Sequence, residues 1–155
     1  MRKKTKKVGD NILTKKEIGK RGEEIAAEFL ERKGLSIVER NYQCRWGELD
    51  LIAVQSDAGD SGDRLYYDEE AGEVTGNGIA SGRSGVHFVE VKTRTGASFG
   101  TPAEAVTYAK RQKIKKTALT WLQSQEQYFS GISFDVIEVC VEGGTAKIRW
   151  LQHCF

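Results

Sequence analysis

Small and apolar residues fall at intervals of three and four early in the chain, at Ile18, Gly22, Ile25, Ala26, Phe29 and Leu30. That spacing lays them on one stripe of a helix and turns the polar residues between them outward. Thr14 and Glu17 precede the stripe at capping-box spacing, so the helix is expected to start at Thr14. Gly34 is placed to end it, because glycine tolerates the left-handed conformation of a C-terminal cap. Residues 35–38 then read as a short strand, 41–47 as a turn, and 48–55 as a second strand. Residues 86–92 are rich in β-branched and aromatic side chains and read as a third strand. A second helix is expected from Thr101, where a capping box with Glu104 coincides with Pro102 at the first helical position. Its stripe runs through Val106, Ala109, Lys113, Ile114, Thr117, Ala118, Trp121 and Leu122 to about Gln125. Residues 132–141 and 145–151 form two more strands around a Gly143-Gly144 hairpin turn. The predicted order is α-β-β-β-α-β-β, a mixed sheet flanked by helices in an α/β fold. There is no internal repeat.

Two stretches fall outside this pattern. Residues 1–13 are basic, lack apolar periodicity and are expected to be a disordered tail. Residues 56–85 are glycine-rich and acidic, an insertion best read as a long loop, with a small hairpin conceivable at Leu65-Tyr66-Tyr67. The remainder, from residue 14 to residue 155, forms one domain, in keeping with a 155-residue chain.

Composition narrows the function classes. Apolar runs such as Leu49 to Val54 are too short to span a bilayer, so no membrane partner is expected. The basic start from Met1 to Lys7 lacks a following apolar segment, which argues against secretion and for the cytoplasm. Cys44, Cys140 and Cys154 are odd in number and form no CxxC pair, so reduced structural thiols are expected rather than disulfides or a zinc ribbon. His87 and His153 do not supply a metal-finger spacing. The total charge of +2 hides an asymmetry: residues 57–73 carry seven acids against Arg64, a net of −6, which leaves +8 on the rest. A basic body of this kind suits a phosphate-rich partner, and the acidic insertion could compete for the same surface. Charge runs of this sort also occur as plain solvated faces.

Candidate chemistry lies on the strands. In the strand from Val86, Glu90 and Lys92 share a face with Phe88, where charge is costly to cover without a partner. In the strand before it, Glu48 and Asp50 share a face. If the two strands are neighbours, Asp50 approaches Glu90. Two carboxylates plus water suit a hard divalent ion, and the Val91 carbonyl could add a third oxygen. Such an ion polarises phosphate and acidifies water, while Lys92 could position the water or stabilise developing charge. Glu23, beside the helical stripe, could face the sheet edge and complete the set. Arg45, Arg94, Lys110 and Lys113 are candidates for phosphate contacts, although Arg45 or Arg94 could instead pair with Glu48 or another acid. Trp46, Trp121 and Trp150 read as packing residues. A strand bearing Glu-x-Lys is common by chance, and Glu23 beside Glu24 fits a solvated helix position. The set gains weight from its members acting together on this topology.

Several segments resemble the YraN family of predicted endonucleases. They are Gly22-Glu23-Glu24-Ile25-Ala26-Ala27, Arg40-Asn41-Tyr42, Gly47-Glu48-Leu49-Asp50-Leu51-Ile52-Ala53 and Phe88-Val89-Glu90-Val91-Lys92-Thr93-Arg94. Phe99-Gly100, Ala105-Val106, Lys110 and Ala118 extend the likeness over about residues 14–151, apart from residues 56–85. The resemblance implies a restriction-endonuclease-like fold near Holliday-junction resolvases and tRNA-endonuclease-like domains. It implies Asp50, Glu90 and Lys92 as the core site with Glu23 as the helix-borne acid, Mg²⁺ or Mn²⁺ as metal, and DNA or RNA as substrate. Family members join the second and third strands by a short turn, so the insertion is a departure.

Three functions remain open on sequence alone: a metal-dependent endonuclease acting on DNA, with branched DNA a candidate substrate; a non-catalytic nucleic-acid-binding module of the same fold; and an interaction protein that uses the acidic insertion. A homodimer would suit a junction cutter, which makes two incisions, but no residue argues for one.

Overall fold

The computed structural model describes residues 13–55, 85–96, 98–101 and 106–155. The expected basic tail, apart from Leu13, and the insertion up to residue 84 lie outside the described residues, as does the conceivable hairpin at Leu65-Tyr66-Tyr67. Among the described residues the elements are α1 (Lys15–Arg32), β1 (Leu35–Cys44), β2 (Gly47–Gln55), β3 (Gly85–Thr95), α2 (Tyr108–Gln123), β4 (Gly131–Glu142) and β5 (Thr145–Leu151). The predicted α/β order is the order found.

The five strands form one mixed sheet in the order β1-β2-β3-β4-β5. All neighbours are antiparallel except β3 and β4, which are parallel. A parallel pair needs a crossover, and α2 supplies it. On one side of the sheet Ala26, Ala27 and Leu30 of α1 pack over Leu51, Ala53, Val89, Ile137 and Val139. On the other, Ile114, Ala118 and Trp121 of α2 pack over Ile52, Val54, Val86, Phe88 and Val136. Phe88 ties that second layer together. It meets Trp121 edge-on at 5.7 Å and stacks on Phe134 at 5.5 Å between ring centroids.

The capping box of α1 forms as its spacing predicts. The Thr14 hydroxyl accepts from the Glu17 N–H at 3.3 Å, and the Glu17 carboxylate accepts from the Thr14 N–H at 2.7 Å. Gly34 follows the helix with φ of 89°, the left-handed turn for which glycine is suited.

Two boundaries differ from expectation. The first strand continues through residues 41–44 instead of giving way to a turn at Asn41. Its exposed edge carries Glu39, Arg40 and Asn41, which hide strand periodicity. A register shift between Ile37 and Glu39, and Asn41 at φ of 52°, bend it locally. The second helix starts later than Thr101. Its N-cap is Thr107, whose hydroxyl accepts from the Lys110 N–H at 3.3 Å, and Val106 lies before it in the core. Pro102 and Glu104 of the expected capping box lie outside the described residues.

Gln55 pairs with Gly85, so the insertion joins the sheet at the shared end of β2 and β3. Asp50 and Glu90 each lie five residues back along their strands, about 17 Å away at strand rise. Cys44, Cys140 and Cys154 are all free thiols. No helix among the described residues is long and apolar enough to cross a membrane.

Candidate active site

Paired residues of β2 and β3 run from Gln55–Gly85 to Leu51–Val89 and stop there. The next position would set Asp50 against Glu90. Instead the Asp50 side chain takes over as the acceptor: its Oδ2 receives the Val91 N–H at 2.7 Å. The strands part where the two acids stand, and a cleft of about 620 Å³ opens there. Asp50, Glu48 and Glu90 line it from the sheet, Lys15, Ile18, Gly19 and Glu23 from α1, and Lys110 from α2.

Each side chain is placed by a feature of its element. Glu23 follows Gly22, which is buried where α1 crosses β3. A Cβ at Gly22 would overlap the hydroxyl and methyl of Thr93, so only glycine permits this approach. Lys110 lies four residues before Ile114 on the seated face of α2, so packing of Ile114, Ala118 and Trp121 carries its ammonium to the sheet. Lys92 lies two residues beyond Glu90 and shares its face.

Glu90 is nearly buried, yet its Oε1 meets the Lys92 Nζ at 3.1 Å and the Lys110 Nζ at 3.0 Å. Two ammoniums thus fix one oxygen. The other, Oε2, is buried with no hydrogen-bond partner among the described residues. Asp50 is under electrostatic stress. Burial first, then the charges of Glu90 and Glu23, push its carboxyl up from 3.8 to about 7, against the pull of the Val91 N–H and Lys110. Burial works against the Lys110 ammonium, but Glu90, Asp50 and Glu48 outweigh it and raise its pKa.

The sequence-predicted candidates thus fall into two groups. Asp50, Glu90 and Glu23 line one cleft, with Val91, Arg94 and Lys110 beside them. Lys92 joins through Glu90. Arg45 and Lys113 do not line it: Arg45 lies over the exposed Trp46 ring at 4.6 Å, and Lys113 is exposed on α2 beside Gly47 at the start of β2. Val91 lines the cleft, and its N–H donates to Asp50 Oδ2.

Two polar clusters escaped the sequence reading. Glu138 of β4 is fully buried and paired to Arg149, with Arg94 nearby. Asp135 is also fully buried; it accepts from Ser133, from Trp150 Nε1 at 2.9 Å and from the His153 N–H at 3.2 Å, and meets His87 Nδ1 at 2.7 Å. Burial opposes its charge, but these partners, His87 foremost, hold its carboxyl below 3.8. An acid inside an apolar strand, the signal that picks out Asp50, is present at both positions.

A mixed five-stranded sheet between two helices, with acids and lysines converging where its second and third strands part, defines the class. Comparison with known proteins gives the family. Residues 22–139 match the model described as uncharacterised protein family UPF0102, and the chain belongs to that family, the one also called YraN. It is 44% identical over 138 residues to a UPF0102 protein of Nocardia farcinica, covering 89% of this chain and 84% of that one. It is 38% identical over 140 residues to a UPF0102 protein of Syntrophomonas wolfei, covering 90% of this chain and 98% of that one. A relative from Caldanaerobacter subterraneus is 39% identical over 141 residues, covering 91% of this chain and 93% of that one.

Proposed function

We propose that this protein is a divalent-metal-dependent nuclease that hydrolyses phosphodiester bonds in nucleic acid, with DNA the favoured substrate and branched DNA a candidate form. The observation that carries the reading is the state of the Asp50–Glu90 pair. One Glu90 oxygen is tied by two lysines, the other is buried without a partner among the described residues, and the neighbouring Asp50 is pushed toward neutrality. A buried, unpartnered carboxylate oxygen is costly, and a cation placed between the two acids would remove that cost and return Asp50 to its charged form.

The donor set fits Mg²⁺ or Mn²⁺. Among the described residues no group of three His, Cys, Asp or Glu side chains forms a ready cage. Mg²⁺ commonly takes one or two carboxylates and keeps several waters, whereas a structural zinc site needs a full set of protein ligands. Asp50 and Glu90 would hold the ion, and Glu23 and Glu48 would order water around it. Bound there, it would supply Lewis acidity toward a phosphate oxygen and lower the pKa of water.

The chain's own groups then divide the remaining work. Lys92 and Lys110 orient Glu90 and present positive charge where a phosphate would gather negative charge. Arg94 offers a planar donor fork at the cleft wall. Arg45 in the turn between β1 and β2, with Lys113 and Lys116 of α2, of which Lys116 also lies over the Trp46 ring, would form a basic face that attracts the backbone without reading sequence.

Purified protein incubated with linear, flapped and four-way-junction DNA and with structured RNA, in Mg²⁺ or Mn²⁺, tests the reading beside Asp50→Ala. Cleavage by the parent and none by the variant is expected. Equal binding with no cleavage in either metal overturns it in favour of a non-catalytic binding module.

A further inference from the structure

Lys92 on β3, Glu138 on β4 and Arg149 on β5 stand in one row across the sheet. Glu138 is fully buried, so its carboxylate depends on the cations around it. Arg149 takes one oxygen: its Nε donates to Glu138 Oε2 at 2.6 Å. The same guanidinium donates to the Gly100 carbonyl and lies over the Phe99 ring at 4.8 Å, so Arg149 is spent on holding the segment after β3 against the sheet.

The other oxygen, Glu138 Oε1, faces Arg94. It lies 3.8 Å from Arg94 Nε, and neither atom has a hydrogen-bond partner among the described residues. One carboxylate therefore stands between two guanidiniums and leaves one positive charge in surplus. Arg149 is committed to Glu138, Gly100 and Phe99. The surplus falls on Arg94, which is 37% exposed and lines the cleft with Asp50 and Glu90.

We infer that Arg94 is the anchor of a second phosphate subsite, beside the one at the carboxylates, and that buried Glu138 is the positioning residue that aims it. The ligand is a backbone phosphodiester anion next to the one that reacts. Glu138 draws the Nε edge of the guanidinium inward, which leaves the two terminal nitrogens as the paired donors that suit phosphate oxygens. This inference rests on the nucleic-acid reading above.

Equilibrium binding of a labelled flapped DNA duplex in EDTA, measured across a salt series, separates the two claims because it needs no cleavage. Arg94→Ala and Glu138→Gln are each expected to weaken binding by about tenfold at low salt. Arg94→Ala should also lower the slope of log affinity against log salt by about 0.9, the signature of one lost phosphate contact, whereas Glu138→Gln, which keeps the Arg94 charge, should leave the slope in place. The double variant should bind no more weakly than Arg94→Ala alone. Arg94→Lys should lose affinity while keeping the slope, because it keeps the charge and loses the fork. If Glu138→Gln does not fold, Glu138→Asp, which withdraws the carboxylate by one methylene, must weaken binding in its place. Unchanged affinity and slope in the Arg94→Ala variant, or additive losses in the double variant, overturn the inference and leave the nuclease reading standing. A parent protein that binds no nucleic acid overturns both.

Discussion

Replacing Asp50 by asparagine should stabilise the metal-free protein, and by an amount that depends on pH. Asp50 is pushed up from 3.8 to about 7 by burial and by Glu90, so in the folded state it holds a proton that the unfolded chain has already released. Between those two values the unfolded state binds fewer protons, and stability falls as pH rises. The full shift is worth about 4 kcal/mol at most. Relaxation of the cleft and remaining solvent contact reduce this to about 2 kcal/mol. The asparagine side chain retains an oxygen for the Val91 N–H, so the hydrogen bond that closes the strand pair survives in the variant. For a chain of this length about 2 kcal/mol corresponds to roughly 4–8 °C in Tm. The assay is thermal unfolding in EDTA from about pH 4 to about pH 8.5. The Tm advantage of the variant should grow between about pH 4 and pH 7 and level off above. A variant less stable than the parent, or an advantage that ignores pH, would refute the electrostatic stress assigned to this pair.

Gly22→Ala should destabilise the fold by about 1–3 kcal/mol despite alanine's better helix propensity, because the new Cβ overlaps Thr93 and lifts α1 from β3. Denaturant unfolding checks this, and Thr93→Ala in the same chain should restore part of the loss. Asp135→Asn should cost about 2–3 kcal/mol near neutral pH, since a buried carboxylate bonded to His87, Ser133 and Trp150 is weakened. Asp135 is held below its ordinary 3.8, so its contribution is present above that value and is lost as pH falls through the lower folded value. Urea unfolding at about pH 7 and about pH 3 should therefore show the gap between parent and variant closing in acid.

Much of this architecture was legible because it is local. The Thr14–Glu17 capping box, the stripe from Gly22 to Leu30 and the run from Val86 to Glu90 each state their own conformation within a few residues. The meeting of Asp50 and Glu90 followed from alternation on two strands taken as neighbours. What the strands do there was not legible. The Asp50 bond to the Val91 N–H exists because backbone pairing ends at Leu51 and Val89, a tertiary event with no local signal. The edge strand through Cys44 was hidden by exposed polar residues that carry no periodicity. Lys110 was placed as a phosphate contact and in fact also grips Glu90, since its position on the seated face of α2 brings its charge to the sheet. Glu138 went unnoticed because alternation allows an acid in a strand to face solvent, and only the row formed with Arg149 shows that it does not.

Manganese titration followed by electron paramagnetic resonance puts the shared-ion claim to the most direct test, because free Mn²⁺ gives the signal and bound Mn²⁺ removes it. The parent should take up Mn²⁺ saturably, Mg²⁺ should displace it, and Asp50→Asn and Glu90→Gln should each abolish the uptake. A parent that leaves the free signal undiminished, or variants that bind as well as the parent, would contradict a metal centre built on these two carboxylates.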